Sequence, residues 1–225
     1  MISINTNYGG LYAAKAAKSS QGLVDTAMER LSTGKRINYA KDDAAGQAIA
    51  VRLTAEIQGL AVAARNAADG QSMVDTADGA LQETQALLLR MRELAVQASN
   101  GTLGDADKAA LEVEAGSLEA EIKRISDNTS WAGKKLLDGS FSGDMSVNTR
   151  TLQIGTTSGQ TIELSIPDMA ATAATIGYSV AHSIGSFTGA QSAIGSIDAA
   201  LSGVAEVRGK LGGISNRLDS TIANL

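Results

Sequence analysis

From Ala45 to Gln97 the apolar residues keep a seven-residue beat: Leu53, Leu60, Ala67, Val74, Leu81, Leu88 and Ala95. Only a helix with a coiled-coil seam keeps such a file on one face. Ile49, Ile57, Ala64, Ala77 and Met91 widen the file into a stripe broad enough for two or more partner helices. The pattern predicts one continuous helix of roughly 80 Å, at a rise of about 1.5 Å per residue. Gly59, Gly70 and Gly79 interrupt it, each at a cost of roughly 1 kcal/mol relative to alanine, so packing against neighbours must hold the helix.

The same patterning predicts the other elements. Ile2–Asn5 looks extended, and a helical pattern starts at Leu11, continues through Leu23, Ala27 and Leu31, and stops at Ser32-Thr33-Gly34. Lys35–Ala44 is a polar connector in which Asp42 or Asp43 would cap the long helix, accepting its orphan amides at the positive end of the dipole. Asn100-Gly101 closes that helix, and Gly104 with Asp105 opens the next. A second file, Leu111, Leu118 and Ile125 with Ile122 beside it, predicts a helix of about 106–127 folding back antiparallel. Asn128–Gly133 breaks it. The alternating runs Thr151–Ile154 and Thr161–Ile166, joined by Gly155–Gln160, predict a β-hairpin that ends at Pro167, the only proline. Residues 168–189 are Ala- and Gly-rich and are left as a connector. A third file, Ile197, Val204, Leu211, Leu218 and Leu225, supported by Leu201 and Ile222, with Arg208 and Ser215 interrupting the secondary positions, predicts a helix from about 191 to the end. That helix stops in mid-heptad without a cap, which suggests a truncated chain. The expected fold class is mainly α: an elongated antiparallel helical bundle, a coiled-coil-like rod, with a small β-hairpin region.

Composition narrows the function. Hydrophobic residues make up 44% of the chain but aromatic ones only 3%, and alanine-rich helices suit close-packed elongated bundles rather than thick cores. A net charge of −5 argues against a nucleic-acid partner, which needs clustered Lys and Arg. No cysteine is present, so packing alone must hold the chain. No apolar run reaches the roughly 18–20 residues of a membrane span, and the first ten residues lack the basic and apolar regions of a signal peptide. His182 is the only histidine; without cysteine it reads as an ordinary loop residue rather than a metal ligand. Asp42 and Asp43 are adjacent and would not share a helix face, so capping outweighs acid–base or metal chemistry. Phosphate-loop, dinucleotide and nucleophile-elbow patterns are all missing. These observations point away from an enzyme, with no catalytic residue, cofactor or metal expected. Arg90, Arg92 and Glu93 lie between Leu89 and Leu94, and Glu114 lies on the return helix. They form either a solvated charged face, the simpler reading, or a contact surface.

Ile4-Asn5-Thr6-Asn7, the run from Glu29 to Gly46, Arg65-Asn66-Ala67 and the run from Arg92 to Gln97 together resemble bacterial flagellin. The likeness extends through Trp131–Gly139 and returns in Leu211–Leu225. The resemblance implies a rod domain (D1) over residues 44–225, with its hairpin region at about 138–167, and the amino-terminal half of an inner-tube domain (D0) plus connector over residues 1–43. Outer domains would be absent. It further implies a structural subunit of the extracellular flagellar filament that serves motility and is exported by the flagellar type III apparatus without a cleaved signal. The implied partners are copies of the subunit, an export chaperone, and junction and cap proteins. Similar flagellins continue past Ile222–Leu225 with another helix. Without it, the inner-tube face Leu23, Ala27 and Leu31 would stay exposed and the chain as written is expected not to polymerise alone. The rod of many flagellins is bound by Toll-like receptor 5 through residues matching Arg90, Leu94 and Glu114, which implies planar donors from Arg90 and an apolar anchor from Leu94. Rival readings are the hook–filament junction protein, against which the Arg92–Gln97 motif speaks, and a coiled-coil surface adhesin, which would trimerise.

Overall fold

The computed structural model describes residues 7–140, 149–169 and 184–225. The extended start expected at Ile2–Asn5, His182 and most of the 168–189 connector lie outside the described residues. Two compact units, Met1–Gln58 and Gly59–Leu225, divide the chain.

The first unit contains α1 (Tyr8–Thr33) and the start of α2 (Ala44–Ala98). Asn7 opens α1 by accepting the Gly10 N–H on its side chain at 3.0 Å, and Gly34 closes it with a left-handed φ of 66°. Of the two candidate caps for α2, Asp43 is the one used. Its Oδ1 accepts from Gly46 N at 2.8 Å, and its carbonyl accepts the first helical bond, from Gln47. Asp42 instead folds the connector back on itself, its Oδ2 accepting from Asn38 N at 3.2 Å and Tyr39 N at 3.0 Å. Those two amides hold its carboxyl below the ordinary aspartate range. The Glu29 carboxylate of α1 raises the pKa of the Tyr39 hydroxyl, and Lys41 Nζ lies 4.8 Å from the centre of the Tyr39 ring.

One expectation fails in this unit. Leu53 was expected in a covered seam but is 47% exposed, and Ile49 and Ile57 are exposed as well. A heptad file records where apolar side chains point; it does not say that the covering helix belongs to the same unit.

The second unit holds the core. It comprises the rest of α2, α3 (Asp105–Asn128), β1 (Ser130–Trp131), β2 (Lys134–Lys135), β3 (Thr149–Gln153), β4 (Thr161–Ser165) and α4 (Phe187–Asn224). Here the first file is buried from Ala67 through Val74, Leu81, Leu88 and Ala95, and the third from Ile197 through Val204, Leu211 and Leu218. They meet in one hydrophobic cluster. Polar pairs fix α2 antiparallel to α4. Arg92 Nε donates to Asp198 Oδ1 at 2.6 Å, Arg208 Nε to Asp78 Oδ1 at 2.7 Å, Arg208 Nη1 to Gln85 Oε1 at 2.7 Å, and Gln71 Nε2 to Ser215 Oγ at 2.7 Å. Arg208 and Ser215, which interrupt the secondary positions beside the apolar file, thus each find a partner on α2 across the seam.

The buried column of α3 differs from the expected Leu111, Leu118 and Ile125. It runs Lys108, Ala115 and Ile122, with Ser126 after them, while Leu111 and Leu118 are only partly buried against the cluster. A lysine stem and an alanine disguise that column, because a long cationic side chain can bury its methylenes beside apolar neighbours. Ser126 Oγ donates to the Leu137 carbonyl at 2.9 Å and Lys135 Nζ donates to the Asp127 carbonyl, so the end of α3 is tied to the segment after it.

That segment holds a second hairpin where only a helix break was expected. β1 and β2 pair antiparallel, Ser130 with Lys135 and Trp131 with Lys134, and the pair leads Leu136 and Leu137 into the core. The expected hairpin, β3 with β4, pairs from Thr149–Ser165 to Gln153–Thr161. Ile162, Leu164 and Ile166 point inward at alternate positions. Two of the helix-weakening glycines give this hairpin room. A Cβ on Gly70 would lie 2.4 Å from Leu152 Cδ1, and one on Gly59 would lie 2.7 Å from Thr156 Cγ2. Between them, Asn66 Nδ2 donates to the Gln153 carbonyl at 3.0 Å.

The β1–β2 turn generates the first prediction. Ala132 and Gly133 have φ values of 48° and 77°, the left-handed pair of a type I′ turn, which favours Asn-Gly and strains an alanine. Ala132→Asn should therefore raise the urea stability by about 0.5–1 kcal/mol, and Ala132→Val should lower it.

The seam generates a pH prediction. The hydrogen bond from Arg92 holds the Asp198 carboxyl below its ordinary value. A depressed carboxyl pKa contributes stability that is present above the unfolded value of about 3.9 and is lost as pH falls through the folded value. The urea midpoint of the wild type should fall over that acid range. Asp198→Asn should start lower at neutral pH and show a shallower fall; a parallel fall in both would mean that the pair contributes nothing.

Candidate assembly and recognition surfaces

Exposed apolar residues concentrate on α1. Leu23 is 72% exposed and Leu31 81% exposed, with Ala27 also exposed, so the three residues expected on one face share it and none is covered. Val24 and Met28 extend the face, and Tyr8, Leu11 and Tyr12 are exposed near the start of the helix. No residue of α1 is buried among those described. Covering a large apolar side chain is worth roughly 1.5–3 kcal/mol, and an isolated helix of this length is marginal in water. The chemistry of this face is therefore burial against another apolar surface.

The connector adds a second surface that sequence reasoning missed. An open groove of about 590 Å³ lies between it and the first turns of α2, lined by Ile37, Ala50 and Val51 on the apolar side and by Lys35, Asn38 and Gln47 on the polar side. Ile49, Val51, Leu53 and Ile57 stand exposed on those turns. A heptad file with no matching file in the first forty residues was the signal that could have revealed it.

The charged face expected from Arg90, Leu94 and Glu114 is only partly assembled. Arg90 Nη2 and Nε donate to Glu114 Oε1 at 2.8 and 3.2 Å, and Nη1 donates to Glu93 Oε2 at 3.0 Å. Both carboxylates raise the arginine pKa, Glu114 the more. All three side chains are exposed. Leu94 is not with them. It is 1% exposed and belongs to the core, because it falls on the helix face turned toward the bundle. An anchor role at the surface is therefore closed to Leu94 in this conformation, while Leu89 and Val113 are exposed on the neighbouring turns.

No group of three or more His, Cys, Asp or Glu residues is placed to hold a metal ion among the described residues. None of their helices is long and apolar enough to cross a membrane.

Comparison with known proteins places the chain among relatives. Residues 4–142 match the family model of the bacterial flagellin N-terminal helical region. A flagellin of Halalkalibacterium halodurans is 45% identical over 222 residues, covering 99% of this chain and 79% of that protein. The B-type flagellin of Pseudomonas aeruginosa is 45% identical over 172 residues, covering 76% of this chain and 34% of that one. The chain thus spans about a third of the Pseudomonas relative and most of the Halalkalibacterium one. The crystal structure of Bacillus cereus flagellin superposes with a TM-score of 0.63 at 31% identity, covering 72% of this chain and 89% of that chain. A flagellar hook-associated protein from Vibrio parahaemolyticus gives a TM-score of 0.67 at 17% identity, covering 83% of this chain and 93% of that chain, which is a likeness of fold alone. By the length of the family match and the identity to relatives, the chain belongs to the bacterial flagellin family.

Proposed function

We propose that the protein is a structural subunit that polymerises with copies of itself into the extracellular flagellar filament, against the expectation that the chain as written does not polymerise alone, and so serves motility rather than catalysis. The observation that carries this reading is α1, a 26-residue helix with no buried residue and an exposed apolar face. A face of that kind is stabilised when another copy covers it, and the gain grows with subunit concentration. Residues 1–43 then form the amino-terminal half of the inner tube, and residues 44–225 the rod. Export by the flagellar type III apparatus without a cleaved signal would bring the subunit to an export chaperone and to junction and cap proteins. The 45% identities are to flagellins, which favours the filament subunit over the hook–filament junction protein or a trimeric adhesin.

Charge on the α1 face tests the proposal. Leu23→Glu and Leu31→Glu, alone and together, should leave the subunit exported as monomer while the pelletable filament drops sharply. Lys15→Glu, away from the Leu23–Leu31 face, serves as the control. Filaments of the double variant that sediment and look like wild type in electron micrographs would remove α1 from the assembly surface.

A second reading rests on the exposed Arg90–Glu114 pair. We propose that this face is a docking site for Toll-like receptor 5, with Arg90 offering a planar fork of donors beside two carboxylates. The buried Leu94 would support the helix from behind. Arg90→Ala and Glu114→Ala should each weaken receptor binding about tenfold, the loss typical of an important contact, and less than additively together because the two side chains are paired. Unchanged affinity in both would return the face to plain solvated charge.

A further inference from the structure

Asn100 is the only asparagine in the sequence followed by glycine. It sits directly after α2, in the turn before α3, and both Asn100 and Gly101 are exposed. The turn is organised around the Asn100 side chain. Thr102 N donates to Asn100 Oδ1 at 3.1 Å, while Leu103 N donates to the Asn100 carbonyl at 3.4 Å. The Gly101 N–H makes no hydrogen bond within the described residues, and a Cβ at Gly101 would meet nothing within 4 Å.

We propose that Asn100 is a spontaneous modification site, where the Gly101 backbone nitrogen attacks the Asn100 side-chain amide. Gly101 N gives up its proton to solvent base and forms a bond to Asn100 Cγ. The Cγ–Nδ2 bond then breaks, Nδ2 leaves as ammonia with a proton from solvent, and a five-membered cyclic imide remains. Water opens that imide at either carbonyl, giving aspartate or isoaspartate. No oxidant or reductant takes part.

The fold favours this residue for three reasons. Glycine puts no side chain beside the attacking nitrogen and lets the backbone turn toward Cγ. The nitrogen is not held in a helix. The Thr102 N–H already donates to the oxygen that carries negative charge when Cγ becomes tetrahedral, as a preorganised donor should.

The other described asparagines lack this combination. The amides after Asn38, Asn128 and Asn224 donate to Asp42, Ile125 and Thr221. Asn66 and Asn216 lie inside α2 and α4, where the following amide belongs to the helix. Asn7 precedes the bulky Tyr8.

The product changes the turn. A carboxylate at position 100 adds a negative charge at the negative end of the α2 dipole. Isoaspartate also lengthens the main chain by a methylene and removes the bond to Thr102. An aged subunit is thus marked where α2 hands over to α3.

The experiment incubates the purified chain in mildly alkaline buffer and maps its tryptic peptides. Glu93–Lys108 contains Asn100 and no other asparagine. That peptide should gain the mass of an NH₂-to-OH exchange and split into aspartate and isoaspartate forms, ahead of every other asparagine peptide. It should do so at least as fast as in the same chain unfolded in urea. Gly101→Ala should slow the conversion roughly tenfold by adding the missing Cβ. Conversion slower than in the urea-unfolded chain would mean that the fold protects the turn, and equal conversion at other asparagines would mean that the site is not special. Either result overturns the proposal.

Discussion

The antiparallel seam between α2 and α4 is the constraint on which the second unit depends. It alternates small and large residues, with Ala67, Ala77, Ala193 and Ala200 buried between Val74, Leu81, Ile197, Val204 and Leu211. An alanine buries little area, so no single residue dominates, and stability is spread along the helices. A repeat of seven carries a second weakness. A slip of one heptad would realign apolar residues with apolar residues and lose little burial. The polar pairs remove that ambiguity. Arg92–Asp198, Arg208 with Asp78 and Gln85, and Gln71–Ser215 can all form in only one register. Each half-exposed pair adds little energy by itself, but losing them all penalises every slipped alignment. The polar positions beside the apolar file are therefore what makes it specific.

The small sheets show the same dependence from the other side. A two-stranded hairpin is at best marginal alone in water, so β3–β4 has to borrow the surface of α2. It does so by sending Ile162, Leu164 and Ile166 into the shared cluster and by lying close over Gly59 and Gly70. The glycine cost to α2 is repaid by the close approach that a Cβ would block. Gly79 has open space around it, and its presence in the helix is unexplained.

Much of this was visible in the sequence because it depends on periodicity. The helices α1, α2 and α4, the β3–β4 hairpin and the antiparallel return of α3 follow from spacing and turn residues. What escaped notice depends on contacts rather than period. The α3 column was hidden because Lys108 is charged and Ala115 is small, although both are buried. The β1–β2 pair has two residues per strand, too few for any alternation to register. Leu94 is apolar beside charged neighbours, and only the helix rotation decides that it turns inward. The exposed start of the α2 seam carries the converse lesson, since the pattern shows that a face wants cover without saying what supplies it.

That last point separates the two units. In Gly59–Leu225 the apolar files find one another within the chain and close a core. In Met1–Gln58 the apolar residues Leu23, Val24, Met28, Leu31, Leu53 and Ile57 are all exposed, and local bonds such as Asp43–Gly46 and Asp42–Tyr39 do the ordering. Such bonds fix helix ends and turns, but they do not provide the burial that makes a helix of this length stable. Under the proposed function the missing burial comes from neighbouring copies, so folding of the first unit and growth of the filament become one equilibrium. A subunit whose core is finished but whose α1 face is uncovered can stay monomeric when dilute and gain most of its remaining stability on joining others. On that proposal the core folds before assembly, and the apolar face of α1 is reserved for it.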